Sequence, residues 1–367
     1  MLYLGIDQHA KQITVSLRAE DGNVLLNRQV STQPVRCLEF LTQLNEKAGI
    51  HGYIAIVEVC GFNDWLLELL PKHGCKQVVL IQPEKKPKIK TDRRDAHALS
   101  ELLWVNRDRA KNQQSIRGVR QVVVPNKIDA ENQRITLLRR DAGRQRTRVI
   151  NQTKFILRRQ NLQWQMPTKT FPSVKALAWL KDLKLPDWDR AEMNWLLEEL
   201  TRLTERMNTL EAIINQRARG MELVELLRTI PGVGYYTALA LACRIGDPTR
   251  FPRGKSLSYY WGLTPGVRDS GDTKGRRGHI TKTGSTMARW LLAQITLHVL
   301  RRDPVMKKWY KPIRARRGSN IARVAVMRRL SVIIRNMLVL KQTYQECRDA
   351  MIERRRNQLK VSKPIKA

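Results

Sequence analysis

Leu2-Tyr3-Leu4-Gly5-Ile6-Asp7 is an apolar run that ends on a carboxylate, and the fold class turns on it. A short apolar run of this kind reads as a buried strand. A second run, Tyr53-Ile54-Ala55-Ile56-Val57-Glu58, also ends on an acid. Two more acids stand in Lys90-Thr91-Asp92-Arg93-Arg94-Asp95-Ala96, where a helical pattern begins. Carboxylates that end hydrophobic strands are costly to bury without a compensating cation. Together, Asp7, Glu58, Asp92 and Asp95 therefore point to a hard divalent ion with oxygen ligands, Mg2+ first among them.

Around these runs, strands are expected over 2–7, 12–18 and 23–30, with Glu20-Asp21-Gly22-Asn23 turning the second into the third. Leu38, Phe40, Leu41 and Leu44 space a helix over 34–47. Strand 53–58, helix 62–72 and strand 77–81 come next, then a Pro- and Lys-rich loop from Pro83 to Lys90 and a helix over 92–104. The order β-β-β-α-β-α-β-α is that of the RNase H-like fold. In that order Asp7 falls mid-sheet, Glu58 on the neighbouring strand and the Asp pair on the last helix. Asp92 and Asp95 share a helix face. With Thr91 as a candidate N-cap, they sit where the helix dipole favours negative charge. Acids at a helix start are ordinary on their own; Asp7 and Glu58 are what give these two weight.

The 367-residue chain is long enough for roughly two or three domains. It carries 68 Lys and Arg against 33 Asp and Glu, a formal charge of +35. Residues 1–100 hold 13 basic and 11 acidic side chains, which leaves +33 for the remainder. Such an excess calls for a polyanion partner, and nucleic acid leads. No charge-free segment of transmembrane length is present and no signal peptide opens the chain, so a membrane protein is not expected. The cysteines Cys37, Cys60, Cys75, Cys243 and Cys347 are scattered without CxxC spacing. That fits buried thiols in a reduced cytosol rather than a zinc site.

From 127 to 163 the pattern is helical and rich in arginine. Over 188–218, Leu196, Leu200, Leu203, Met207, Leu210 and Ile214 alternate four- and three-residue steps, the seam of a coiled coil. The Pro-containing loop between (Pro167, Pro172, Pro186) allows an antiparallel hairpin or a partner chain. Ile230-Pro231-Gly232-Val233-Gly234 resembles the helix-hairpin-helix turn of sequence-independent DNA binders, whose backbone N–H groups hold a phosphate. Then come Asp269-Ser270-Gly271 and the basic, Gly-rich Lys274-Gly275-Arg276-Arg277-Gly278-His279. Basic helices are expected near 284–301 and 319–341, and the tail reads as disordered.

In order and spacing these motifs, with Gly262-Leu263-Thr264-Pro265 and Gly278-His279-Ile280-Thr281-Lys282-Thr283-Gly284, resemble the DEDD-type insertion-sequence transposases, a family of bridge-RNA-guided recombinases. One departure is Val59-Cys60, where that family has a small residue followed by Thr or Ser. The resemblance implies an α/β RuvC-like (RNase H-like) domain over 1–107, a helical coiled-coil region over 127–218, and a mostly helical transposase domain over 221–345. A basic tail, 346–367, completes the chain. It implies that Asp7, Glu58, Asp92 and Asp95 bind Mg2+ and that Ser270 is the nucleophile of a phosphoserine intermediate. It further implies donor and target DNA, a structured non-coding bridge RNA, a tetramer built as a dimer of dimers, and a prokaryotic cytoplasm in which the DNA-bound protein joins the nucleoid. Trp164, Trp179, Trp188, Trp195 and Trp261 are candidates for stacking on RNA, although tryptophan at helical spacing is more often core. Two other readings compete: a junction-resolvase-like, metal-dependent endonuclease that uses water, and a non-catalytic nucleic-acid-binding protein.

Overall fold

The structure is a computed structural model that describes the backbone of residues 1–82, 92–270 and 273–361, with side chains for all of these except 92–94, 267–270, 273–277 and 354–361. The chain divides into two compact units, Met1–Val124 and Pro125–Ala367.

In the first unit, β1 (Leu2–Gln8), β2 (Gln12–Arg18) and β3 (Val24–Ser31) form an antiparallel meander. Helix α1 (Pro34–Ala48) begins at a proline and stops at Gly49, the asymmetry helix ends favour. After it come β4 (Tyr53–Glu58), α2 (Asp64–Lys72), β5 (Cys75–Ile81) and α3 (Asp92–Val105). The short α4 (Arg107–Lys111) and β6 (Gln121–Val122) close the unit. The sheet order is β3-β2-β1-β4-β5-β6, with β1, β4 and β5 parallel. This is the RNase H-like arrangement the sequence predicts. The expected boundary at 107 falls inside the unit, because β6 pairs with β5.

Alternation along the strands separates two cores. Leu4, Ile6, Ala55 and Val57 pack with Phe40, Leu41 and Leu44 of α1 and Leu66 and Leu70 of α2. Tyr3, Ile54, Ile56, Val79 and Ile81 face the other way, against Leu99 and Leu103 of α3. Each fully buried leucine contributes about 2 kcal/mol.

The second unit is helical apart from one hairpin. Helix α5 (Lys127–Arg159) runs antiparallel to α7 (Asp187–Ala218), with α6 (Val174–Asp182) in the connection. Ion pairs and hydrogen bonds tie the two helices along their length: Glu131 with Arg217, Arg139 with Glu211, Arg146 with Thr204, and Arg159 with Asp189. Leu200 and Leu203 pack on Val149, and Met193 and Leu197 on Ile156 and Leu157. The predicted leucine seam is thus occupied by α5 of the same chain. Helix α6 lies where the sequence suggests only a loop.

The rest comprises α8 (Glu222–Arg228), α9 (Tyr235–Ile245), α10 (Gly254–Tyr260), the hairpin β7 (Pro265–Ser270) and β8 (Thr273–Ile280), and α11 (Thr286–Arg302). Helix α12 (Pro304–Leu340) is kinked at Gly318, and α13 (Tyr344–Val361) ends the described chain. Gly232 has φ +82° in the turn before α9, and a Cβ there would lie 2.4 Å from the His298 side chain, so the turn requires glycine. The tail, expected to be disordered over 346–367, is helical as far as 361, and residues 362–367 lie outside the described set. Buried Tyr344 donates to Asp303 at 2.6 Å, and Arg348 pairs with the same carboxylate at 3.2 Å. These contacts, with buried Cys347, fasten α13. Among the described residues no helix is long and apolar enough to cross a membrane.

Candidate active site

Asp7 lies at the C-terminal end of β1 and Glu58 at that of β4, the edge at which open α/β sheets take their ligands. Ile6 stands opposite Val57 in the parallel register, so the next step brings Asp7 level with Glu58. Both continue the alternation of Tyr3 and Gly5, and of Ile54 and Ile56, and so fall on the face that α3 covers. On α3, Asp95 precedes Leu99 and Leu103 at four-residue steps, in the stripe that packs on the sheet. Asp7 and Asp95 are buried, at 6% and 8% exposure.

Gly5 sets how close α3 comes. A Cβ at Gly5 would lie 2.4 Å from both Ala96 O and Ser100 N. Trp104, at the far end of α3, donates to Glu20 O beyond β2, so the helix runs antiparallel to β1. From Gly5, Asp7 lies about 6.7 Å along the strand, in the direction of the α3 N-terminus. Asp95 is one residue before Ala96 in that same direction. Asp92 opens α3, and its side chain and all of Thr91 lie outside the described set, as does the loop Pro83–Lys90.

Two polar clusters, neither visible as a motif, support the site, the first at this edge and the second between α3 and β2. Asn63, 5% exposed, donates to Gln8 Oε1 at 2.8 Å and to Glu58 O at 3.0 Å, and accepts from Cys60 N–H at 2.9 Å. Gln8 Nε2 returns a bond to Phe62 O at 3.1 Å. The loop after Glu58 is thereby clamped to the end of β1, and the Val59-Cys60 departure leaves it hydrogen-bonded. In the second cluster Arg18 donates to Ser100 Oγ at 3.1 Å and to Gly22 O at 2.9 Å, and lies 3.0 Å from His97 Nε2. Ser16 and Ser100 hydroxyls meet at 2.9 Å, which fastens α3 to β2. His9 Nε2 lies 3.2 Å from Asp7 Oδ2.

Ser270 belongs to the second unit. It is the last residue of β7, paired through the backbone with Thr273. Its side chain, and those of Arg268, Lys274, Arg276 and Arg277, lie outside the described set. Among the proposed stacking residues, Trp261 is fully buried in the helical core and cannot meet a base. Trp164, Trp188 and Trp195 are exposed, and Trp179 packs against the α5–α7 core.

Residues 4–161 match the DEDD transposase domain model of IS110 elements, and residues 224–311 match the model described as "Transposase IS116/IS110/IS902 family". Both models are of IS110-type transposases, and the chain carries the two domains they describe. It is 29% identical to a protein named as the transposase of insertion element IS1111A from Coxiella burnetii, over 89% of this chain and 86% of that one. A probable family 20 transposase of Pseudomonas aeruginosa is 26% identical, with 93% and 98% covered. The protein named for insertion element IS1328 of Yersinia enterocolitica is 24% identical, with 90% and 94% covered.

DEDD transposase domains work with divalent metal. The donor set here fits one: the acids at this edge offer only oxygen, on elements brought together by the close approach at Gly5. Among the described residues no three carboxylate, histidine or cysteine side chains are grouped so as to hold an ion. Asp7, Glu58 and Asp95 share a face and an edge, therefore, but do not close a cage by themselves.

Proposed function

We propose that this transposase cuts and rejoins DNA through a phosphoserine intermediate, with Asp7, Glu58, Asp92 and Asp95 as Mg2+ ligands and Ser270 as nucleophile. The observation that supports it most is the placement of Asp7 and Glu58 on one sheet face, at the carboxyl ends of parallel strands, with Asp95 on the helix that covers that face. When bound, the metal polarises the scissile phosphate and stabilises the leaving oxygen. The chain's part is the rest. The Ser270 hydroxyl gives up its proton to a base as Oγ bonds to phosphorus, and the phosphorus–oxygen bond to the departing strand breaks. The departing oxygen takes up a proton. A hydroxyl of another strand then reverses the step, so the bond energy is kept without ATP. Arg268, Lys274, Arg276 and Arg277 are the cations proposed to neutralise charge that grows on the phosphate.

Recognition of sequence is proposed to fall to an element-encoded structured RNA paired with donor and target DNA, a division known for RNA-guided nucleases. Excess positive charge outside residues 1–100 supports tight, salt-sensitive binding of such a polyanion. A tetramer acting in the cytoplasm completes the proposal.

The test is a DNA substrate that blocks religation. A denaturation-resistant adduct should accumulate and map to Ser270. Ser270→Ala should lose both adduct and recombination, and Asp7→Ala should lose cleavage, with nucleic-acid binding kept in both. A Ser270→Ala protein that cuts at the normal rate would replace the serine mechanism with a water-using nuclease. Site-specific recombination by protein stripped of RNA would overturn guidance alone.

A further inference from the structure

Helix α5 carries a row of arginines that the carboxylate chemistry does not use. Arg140, Arg144 and Arg148 succeed one another at four-residue steps and climb one side of the helix by about 6 Å per step. With Arg139 and Arg146 they line a groove of about 1280 Å³ between α5, α7 and α11. Glu192 in its lining is engaged by Arg159 at 3.0 Å, while Arg139 pairs with Glu211 and Arg140 with Asp141 at 3.2 Å. Arg144 and Arg148 are exposed and make no ion pair among the described residues. Near Arg140, Arg244 is buried, bonded to Thr136 Oγ1 at 3.1 Å and Ala240 O at 2.7 Å, and adds positive charge at that end of the row.

The same groove shows two aromatic rings to solvent, Trp290 at 40% exposure and Phe155 at 60%. Its floor is lowered by Gly143 beside Met207. A Cβ at Gly143 would meet only ordinary contacts, Arg139 at 3.7 Å and Met207 at 4.0 Å, so packing does not demand glycine there. Mid-helix glycine costs stability, and here it keeps the groove open.

Cations beside exposed rings are what sequence-tolerant single-strand sites use: the backbone tracks the cations and bases stack on the rings. The exposed rings favour an unpaired strand, whose bases are free to stack on them. We propose that the α5–α7–α11 groove holds a short unpaired nucleic-acid strand, with its phosphates on Arg140, Arg144 and Arg148 and a base on Trp290. The inference rests on reading the chain as a nucleic-acid recombinase. The strand is either unpaired guide RNA or displaced DNA.

Full-length protein freed of nucleic acid would be titrated into fluorescein-labelled oligo-uridine, oligo-thymidine and a blunt DNA hairpin, with anisotropy read across a salt series. Arg144→Gln with Arg148→Gln should weaken strand binding at least tenfold and lower the salt slope by about 1.4, the value for two single-strand phosphate contacts. Trp290→Ala should cost about tenfold, with Trp290→Phe keeping most of the affinity. Gly143→Leu should block the strand without any change of charge. Hairpin affinity should move less than about threefold in the Trp290 and Gly143 variants, and whichever oligonucleotide binds tighter identifies the source. Equal losses on strand and hairpin, or unchanged strand binding, would overturn the proposal. So would a smaller particle by light scattering with strand binding intact, which would make the groove a contact between copies of this chain. A wild-type protein that forms the Ser270 adduct while groove variants bind strand normally loses only the groove. One that forms no adduct while the variants lose strand binding loses only the serine mechanism.

Discussion

Gly5→Ala adds one methyl group at the tightest point between β1 and α3. The new Cβ would stand 2.4 Å from Ala96 O, 2.4 Å from Ser100 N and 3.0 Å from Ser100 Cα. These are backbone atoms of a packed helix and cannot swing aside. Ordinary contact begins near 3.4 Å, so α3 must retreat by about 1 Å. Overpacking of this kind costs roughly 1–3 kcal/mol, which for a unit of this size lowers its melting temperature by about 5–10 °C. The retreat also carries Asp95 away from Asp7, and a misplacement of 1 Å at a reacting centre costs about 10²-fold in rate. Single-turnover strand cleavage and a thermal melt on the same preparation measure both effects. A Gly5→Ala protein that melts with wild type and cuts at the wild-type rate would refute the claim that this approach sets the carboxylates.

The same substitution should have the opposite sign at Gly143, where Cβ meets only ordinary contacts: Gly143→Ala should raise stability by roughly 0.5–1 kcal/mol in a denaturant titration. Arg18→Lys loses the fork that reaches Ser100, Gly22 and His97 at once, and should cost about 1–2 kcal/mol and slow cleavage through α3. Burial pushes the Asp303 carboxyl up, but bonds from Tyr344, the Met306 N–H and Arg348 outweigh it and hold it below the usual carboxylate range. A depressed pKa stabilises the fold above the unfolded value, near 3.9, and that share is lost as pH falls through the folded value. Asp303→Asn should therefore lower the melting temperature at pH 7 and flatten its fall on acidification.

The RNase H-like sheet is legible because its signals are local. Apolar runs such as 53–58 and the 34–47 helix pattern each name their element within a single window, and the order of elements names the fold. The β7–β8 hairpin escapes this kind of signal. Its strands hold Gly, Lys and Arg in place of an apolar alternation, so no period marks them as strands. Helix α13 is missed for a related reason. Its sequence is dominated by charge and looks like a solvated tail, while the contacts that fix it, from Tyr344 and Arg348 to Asp303, span some 40 positions.

The candidate site divides in the same way. A carboxylate at the end of an apolar strand is a local contradiction, a charge where the pattern calls for burial, and can be recognised from the strand alone. What orients those carboxylates is not local. Asn63 meets Gln8 across 55 positions, and Arg18 meets Ser100 across 82. Neither pair leaves a period or a spacing, because hydrogen bonds between distant segments are set by the fold and not by the window. Val59-Cys60 is a case in point. Judged from the strand end alone, the departure removes a hydroxyl beside Glu58; in the folded chain Asn63 accepts the Cys60 N–H and donates to the Glu58 carbonyl. Such a clamp can tolerate substitution of the residue next to the acid while the acid itself stays where β1 and β4 bring it. Variation beside Glu58 is therefore weaker evidence against the site than loss of Asn63 or Gln8 would be.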